Sequence, residues 1–180
     1  MCARWNKARR CLCRVVSFGV YQPADVQGSD ITTSATGIRF TVNRDVSVEM
    51  NGVLGPWNVY NALAAASVCV SLGLDLAQVA ARLADFTPPP MRMERSQVAG
   101  ITFINDAYNA APRSMRLAIG EFALLPTPGR KILVIGDMLE LGDQARFYHE
   151  RLADQIADLH LNVIFTVGEM SRHVSDRVAQ

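Results

Sequence analysis

The side chains best suited to chemistry stand in two short runs, Asn105-Asp106-Ala107-Tyr108-Asn109 and Gly136-Asp137-Met138-Leu139-Glu140-Leu141-Gly142. Each follows an apolar run of strand length, at residues 101–104 and 131–135. The first run also stands just before Pro112, a residue suited to open a helix. In open α/β sheets ligands gather beyond the carboxyl ends of the strands, where a helix N-terminus adds unpaired backbone N–H groups. A carboxylate such as Asp106 can accept hydrogen bonds from ribose hydroxyls there, and the Tyr108 ring can lie against a flat base. Asp106 and Asp137 serve equally well as ordinary loop and cap residues, and physics alone leaves both readings open.

Two further runs carry polar groups at regular spacing. Asn58 and Asn61 begin the stretch Asn58-Val-Tyr-Asn61-Ala-Leu-Ala-Ala-Ala, and Arg92 sits within Met91-Arg92-Met93-Glu94. Carboxamides can donate and accept at a base edge, and a guanidinium can grip phosphate through two parallel hydrogen bonds. The plainer alternatives are that the asparagines cap and flank an alanine-rich helix, and that Arg92 pairs with Glu94 or Asp85 on the surface. His149, in a helical stretch, reads as a structural side chain.

The elements that must position these groups alternate in kind. Residues 15–20 read as a short buried strand. Residues 38–42 and 46–50 alternate apolar and polar side chains around Asn43-Arg44-Asp45, as a hairpin requires. Residues 59–72 are strongly helical and end at Gly73; Asp75 can cap a second helix that carries Leu76, Val79, Ala80 and Leu83 on one face. The stiff Thr87-Pro88-Pro89-Pro90 segment then marks a boundary. Beyond it strands at 101–104, 131–135 and 162–167 alternate with helices from Pro112 to about Leu125 and from Asp143 to about Leu159. That rhythm predicts βαβ units with a parallel sheet covered by helices.

Bulk properties narrow the choice. Of the 180 residues 49% are hydrophobic and 19% charged, which suits a packed globular chain rather than a disordered one. A net charge of +1 exerts no overall pull toward nucleic acid or an anionic membrane, and no apolar run reaches membrane-spanning length. The basic residues Arg4, Lys7, Arg9, Arg10 and Arg14 read as a solvated helix face. Cys2, Cys11, Cys13 and Cys69 lack disulfide or zinc spacing and fit reduced thiols of a cytoplasmic protein.

Taken together and in order, these runs resemble the signatures of the Mur ligase family. Asn58-Val-Tyr-Asn61-Ala-Leu-Ala-Ala-Ala is similar to H-N-x-x-N-x-L-A-A, and Met91-Arg92-Met93-Glu94 to G-R-M-E. Asn105-Asp-Ala-Tyr-Asn-Ala-Ala-Pro112 resembles D-D-S-Y-N-A-N-P, and residues 136–142 match G-D-M-L-E-L-G as it stands. Order and spacing agree from about Val15 to Glu169. Each motif is modest alone, but four in sequence are highly specific.

The resemblance implies an α/β fold with two parts. Residues 1–90 would be the C-terminal part of a central ATP-binding domain, and residues 91–180 an incomplete Rossmann-like, parallel-sheet C-terminal domain. It implies a cytoplasmic, ATP- and Mg2+-dependent ligase of peptidoglycan synthesis. Such an enzyme phosphorylates the carboxylate of a UDP-N-acetylmuramoyl tripeptide, and the amine of D-alanyl-D-alanine then attacks the acyl phosphate. By the family's pattern Asn58 and Asn61 would contact the adenine side, and Arg92 would reach the ATP phosphates as the catalytic arginine. Asp106 would hold the ribose, with Tyr108 and Asn109 completing the nucleotide surroundings. Asp137 and Glu140 would shape the loop beside the D-alanyl-D-alanine, and no residue of this chain would ligate metal.

Three positions depart from the pattern. Trp57 replaces a histidine, Met91 a glycine, and Ala111 the asparagine before Pro112, which removes an N-cap worth about 1 kcal/mol. No G-x-x-x-x-G-K-[ST] loop is present, so the chain is expected to need the missing halves of its own enzyme and not to catalyse ligation alone. The rival reading is a non-catalytic nucleotide-binding or interaction module that kept the fold. A Rossmann-type dinucleotide enzyme fits less well, because no G-x-G-x-x-G follows any strand. Exposed apolar surface at the edges of a cut sheet is expected to favour aggregation.

Overall fold

The computed structural model describes residues 14–179, and the chain divides into two compact units, Met1–Pro88 and Pro89–Gln180. Cys2, Cys11, Cys13 and the cluster Arg4, Lys7, Arg9 and Arg10 lie outside the described residues. Cys69 is a free thiol, partly buried.

In the first unit, strands β1 (Phe18–Gly19), β2 (Val26–Ser34), β3 (Gly37–Val42) and β4 (Val46–Asn51) make one sheet in that order. β1 runs parallel to β2, and the other neighbours are antiparallel. The expected hairpin is present, with Val42 opposite Val46 across the Asn43-Arg44-Asp45 turn. Strand alternation turns Ile38, Phe40 and Val42, with Val48 and Met50, into the core. Helix α1 (Trp57–Ser71) covers them with Val59, Ala62, Leu63, Ala66 and Ser67, spaced as one helical stripe.

Helix α2 (Leu76–Ala84) adds Val79 and Ala80. The Asp75 carboxylate accepts the backbone N–H of Ala77 at 3.0 Å and of Gln78 at 3.1 Å, satisfying two donors that the first turn cannot pair internally. Asp75→Ala is therefore expected to lower the stability of this unit by about 1 kcal/mol, with Asp75→Asn close to wild type. Urea denaturation of the two variants checks the pair. Equal losses would assign the effect to charge rather than to the cap.

Two expectations for this unit need correction. The strand expected over residues 15–20 shrinks to Phe18–Gly19: the Asp25 carboxylate takes the Ser17 N–H (2.8 Å) and the Ser17 hydroxyl (2.6 Å), so that N–H has no strand partner, although the Ser17 carbonyl still accepts the Val26 N–H (3.1 Å). Strand β2 gave no sequence signal. Its Gly, Ser, Asp and Thr residues break the alternation, and the pairing slips between Ser29 and Thr32, with Asp30 at φ 52°.

In the second unit, β5 (Glu94–Val98) and β6 (Ile101–Asn105) form an antiparallel hairpin. Strands β7 (Ile132–Gly136) and β8 (Val163–Val167) pair parallel, residue 132 against 163 through 136 against 167. Helices α3 (Pro112–Leu124), α4 (Ala145–Ile156) and α5 (Arg172–Val178) complete it. The α/β class and the parallel pairing of β7 with β8 are as expected. The strand at 101–104 is not a third parallel strand: among the described residues it pairs only with β5, which is exposed throughout and polar except for Val98, and so left no apolar pattern to read.

The core of this unit gathers Ile119, Ile135, Met138, Leu152, Ala153, Ile156 and Val174, with Leu133 and Ile164 packed against it. On the opposite face of β7 and β8, Ile132, Val134, Phe165 and Val167 are exposed. The α4 helix starts later than expected because a single 3₁₀ turn, Gly142–Gln144, precedes it, and it ends at Ile156.

Candidate functional site

The expected site residues fall into three local clusters. In the first unit the Asn58 carboxamide N–H donates to the Leu54 carbonyl (2.8 Å), and Asn61 donates to the Asn58 carboxamide oxygen (2.9 Å). Asn58 thus holds the turn before α1 and orients Asn61, whose own carboxamide oxygen stays available on an exposed turn of the helix. Trp57 lies against Gly55. A Cβ there would come within 2.2 Å of the indole, and φ is +87°, so only glycine fits beneath the ring.

The second cluster joins the 91–94 segment to the loop after β6. Met91 and Met93 adopt φ of 58° and 52°, a left-handed conformation costing non-glycine residues about 1–2 kcal/mol each. Named partners hold that strained backbone. Glu94 accepts the Met91 N–H (2.9 Å), the Met91 carbonyl accepts the Tyr108 N–H (3.2 Å), and Asp106 Oδ1 accepts the Met93 N–H (2.9 Å). Met93 is buried, which anchors the segment.

Between the two methionines, the Arg92 guanidinium carbon lies 4.0 Å from the centre of the Tyr108 ring. Stacking of this kind contributes about 0.5–1 kcal/mol at an exposed site and holds the planar fork in place. Within its own unit Arg92 therefore meets Tyr108 rather than Glu94, whose carboxylate serves Met91. Burial raises the Asp106 carboxyl above its ordinary range, and the Met93 N–H and the Arg92 charge offset part of that rise. Only one Asp106 oxygen is used by the Met93 amide.

Asn109 is exposed beyond this cluster, before the start of α3. Ala111 provides no side-chain cap there. Ser114 reaches back instead, its hydroxyl accepting the Ala111 N–H (3.2 Å) and donating to the Ala111 carbonyl (3.0 Å). The chain thereby recovers part of what the missing asparagine would supply.

The third cluster is the loop at 136–142. Asp137 Oδ1 accepts the Ser171 N–H at 2.6 Å, and Gly168 passes so close that a Cβ would lie 2.3 Å from the same oxygen, with φ at +123°. His149 is buried; its Nε2 accepts the Met138 N–H (3.0 Å) while Nδ1 faces the Ala145 carbonyl (2.7 Å). These two bonds require a neutral ring with the proton on Nδ1. His149 is thus a structural side chain that ties the loop to α4. Glu140 is exposed at φ 61° on the same loop. Sequence reading singled out neither Gly168 nor Ser171; a glycine directly after strand β8 was the available signal.

Burial works to raise the Asp137 carboxyl, but hydrogen bonds from the Ser171 and Met170 backbone and the Ser171 hydroxyl outweigh it, and the group titrates below its ordinary value of 3.8. A carboxyl depressed by folding stabilises the fold above its unfolded value and loses that contribution as the pH falls through the folded one. Asp137→Asn is accordingly expected to flatten the loss of thermal stability below about pH 4. Melting curves through the acid range check this, and an acid limb of unchanged steepness would show that the Ser171 bonds contribute little.

Among the described residues no three His, Cys, Asp or Glu side chains converge as a metal site, and no helix is long and apolar enough to cross a membrane. What the clusters offer is a guanidinium on an aromatic plate beside a carboxylate, and separately a carboxamide pair, all suited to a nucleotide.

Residues 91–180 match the family model described as Mur ligase, glutamate ligase domain. The chain is 33% identical over 165 residues to the UDP-N-acetylmuramoyl-tripeptide–D-alanyl-D-alanine ligase of Bacillus subtilis, covering 91% of this chain and 36% of that one. The corresponding Escherichia coli ligase is 32% identical over 155 residues, covering 84% of this chain and 34% of its own length. Among solved structures, MurF from Acinetobacter baumannii superposes with a TM-score of 0.81 at 30% identity, over 90% of this chain and 35% of that one. The MurF ligase of Thermotoga maritima in complex with ADP, at 18% identity and a TM-score of 0.67 over 91% of this chain and 48% of that one, shares the fold. The chain spans about a third of the length of the curated relatives it matches. With its C-terminal half matched to the family model and its motifs placed as described, the chain belongs to the Mur ligase family.

Proposed function

We propose that this chain is part of an ATP-dependent ligase that joins D-alanyl-D-alanine to a UDP-N-acetylmuramoyl tripeptide in cytoplasmic peptidoglycan synthesis. The observation that carries the reading is the Arg92 guanidinium held over the Tyr108 ring beside Asp106, within a stretch matched to the Mur ligase family model. Residues 1–90 would be the end of the central ATP-binding domain, and residues 91–180 part of the C-terminal one.

When bound, ATP supplies the phosphoryl group that activates the tripeptide carboxylate. This chain's residues bind and orient. Asn61, held by Asn58, presents its carboxamide to the base edge, and Asp106 uses its second oxygen on a ribose hydroxyl. Tyr108 provides the plate that fixes Arg92, and Arg92 places a permanent positive charge where phosphate oxygens gather more charge in the transition state. Asn109 adds a carboxamide at the same loop. Asp137, through Ser171, sets the base of the 136–142 loop, and Glu140 shapes the same loop beside the D-alanyl-D-alanine site. The magnesium of the reaction is assigned to no residue of this chain.

The test is phosphate release in the presence of ATP, tripeptide and D-alanyl-D-alanine. This chain alone is compared with a chimera in which it replaces the matching segment of the Bacillus subtilis ligase. Release by the folded chimera that needs both substrates, and none by the chain alone, is the expected result. A chimera that melts cooperatively and binds ATP yet releases no phosphate would favour a non-catalytic module derived from the same fold.

A further inference from the structure

We propose that the groove between α3 and α4 is a binding site for a small phosphate-bearing anion. It is an open depression of about 220 Å3 whose lining includes Arg113 and Arg116 from α3 and Tyr148, Arg151 and Gln155 from α4. No carboxylate lines it.

The arrangement of charge is what needs a ligand. Arg113 and Arg116 sit three residues apart on one helix face, where like charges repel, and in the N-terminal part of α3, where the helix dipole disfavours cations. The first turn of α3 contains no acidic residue to offset them. Three other arginines of this unit are paired locally: Arg146 with Glu150 at 2.7 Å, Arg177 with Asp154 and Arg172 with Asp176. The adjoining depression of about 320 Å3 contains Glu150 and Asp154 beside Arg177 and is neutralised in this way. Arg151 stands between the two, with its guanidinium 5.9 Å from the Phe147 ring. Arg113, Arg116 and Arg151 thus line one concavity that contains no carboxylate.

Three guanidinium forks around one hollow suit a tetrahedral oxyanion, which accepts paired hydrogen bonds from several directions. The Gln155 carboxamide and Tyr148 hydroxyl add neutral donors. A nucleic acid would need a basic stripe continuing along the surface, and the chain's net charge of +1 gives no such field. The concave, local form of the patch favours a compact anion.

Inorganic pyrophosphate is the probe. Titrated into the folded chain and followed by amide chemical shifts, it is expected to bind saturably, with shifts centred on residues 113–117 and 148–155. Arg113→Gln with Arg116→Gln is expected to weaken binding by roughly a hundredfold, about tenfold per arginine. Arg146→Gln, which removes an equal charge outside the groove, should change it less than about twofold. Arg113→Glu separates binding from folding. It should raise the melting temperature of the free chain, by favouring the α3 dipole, and abolish the rise that pyrophosphate gives wild type. No saturable binding, shifts centred on Arg92 and Tyr108 instead, or equal affinity in the double variant would each overturn the proposal. Tighter binding of an acidic peptide or of single-stranded DNA than of pyrophosphate would overturn it as well.

Discussion

Replacing Arg92 by alanine in the ligase chimera is expected to lower kcat/KM for ATP by roughly ten- to a hundredfold, the effect of losing one charge-assisted contact to phosphate. The loss should fall on ATP and not on adenosine, whose binding lacks the phosphates that Arg92 would meet. Arg92→Lys is expected to recover little. A lysine keeps the charge but has neither the planar fork that lies 4.0 Å from the Tyr108 ring nor two parallel donors. Tyr108→Phe keeps the ring and should stay close to wild type, whereas Tyr108→Ala frees the guanidinium and should cost a few-fold. Steady-state kinetics on the four variants, with adenosine affinity measured alongside, decides the matter. Equal loss of ATP and adenosine would move Arg92 from phosphate contact to a purely structural place.

His149 carries the largest expected effect on stability. His149→Ala should destabilise the second unit by roughly 2–4 kcal/mol, because it strands the buried Met138 N–H and opens a hole beneath the loop at 136–142. For a unit of this size that is a fall of about 10 °C or more in melting temperature. His149→Phe fills the space but offers no acceptor, and His149→Gln offers an acceptor through its carboxamide oxygen. Glutamine should therefore be the better replacement. If phenylalanine were the better one, packing alone would explain the residue, and the bond to Met138 would lose its assigned weight.

How far the sequence reached differs between the two units for an identifiable reason. Elements with a strong apolar period were legible: β3 and β4 through Ile38, Phe40, Val42, Val48 and Met50, and α1 through its small-residue stripe. The Asp75 cap was legible too, because a short carboxylate before an apolar helix has one local use. Strands β2 and β5 were not, since both are held by backbone ladders rather than by an alternating apolar face. With β5 unseen, β6 was assigned to a parallel sheet, whereas its partner is the polar strand immediately before it.

For the candidate site, the sequence by itself determined which residues are available and the order in which they come. Four motifs in register, around Asn58, Arg92, Asp106 and Gly136, carried the family resemblance because residue type and spacing are all that such a signature contains. Only the tertiary structure decided what each side chain touches. Arg92 lies over Tyr108 instead of pairing with Glu94, and Asn58 spends its carboxamide on Leu54 and Asn61. Asp137 is held by Ser171, 34 residues away, and His149 by Met138. A hydrogen bond depends on where two atoms meet after the chain has packed, and composition and periodicity constrain the elements that carry those atoms without fixing their partners.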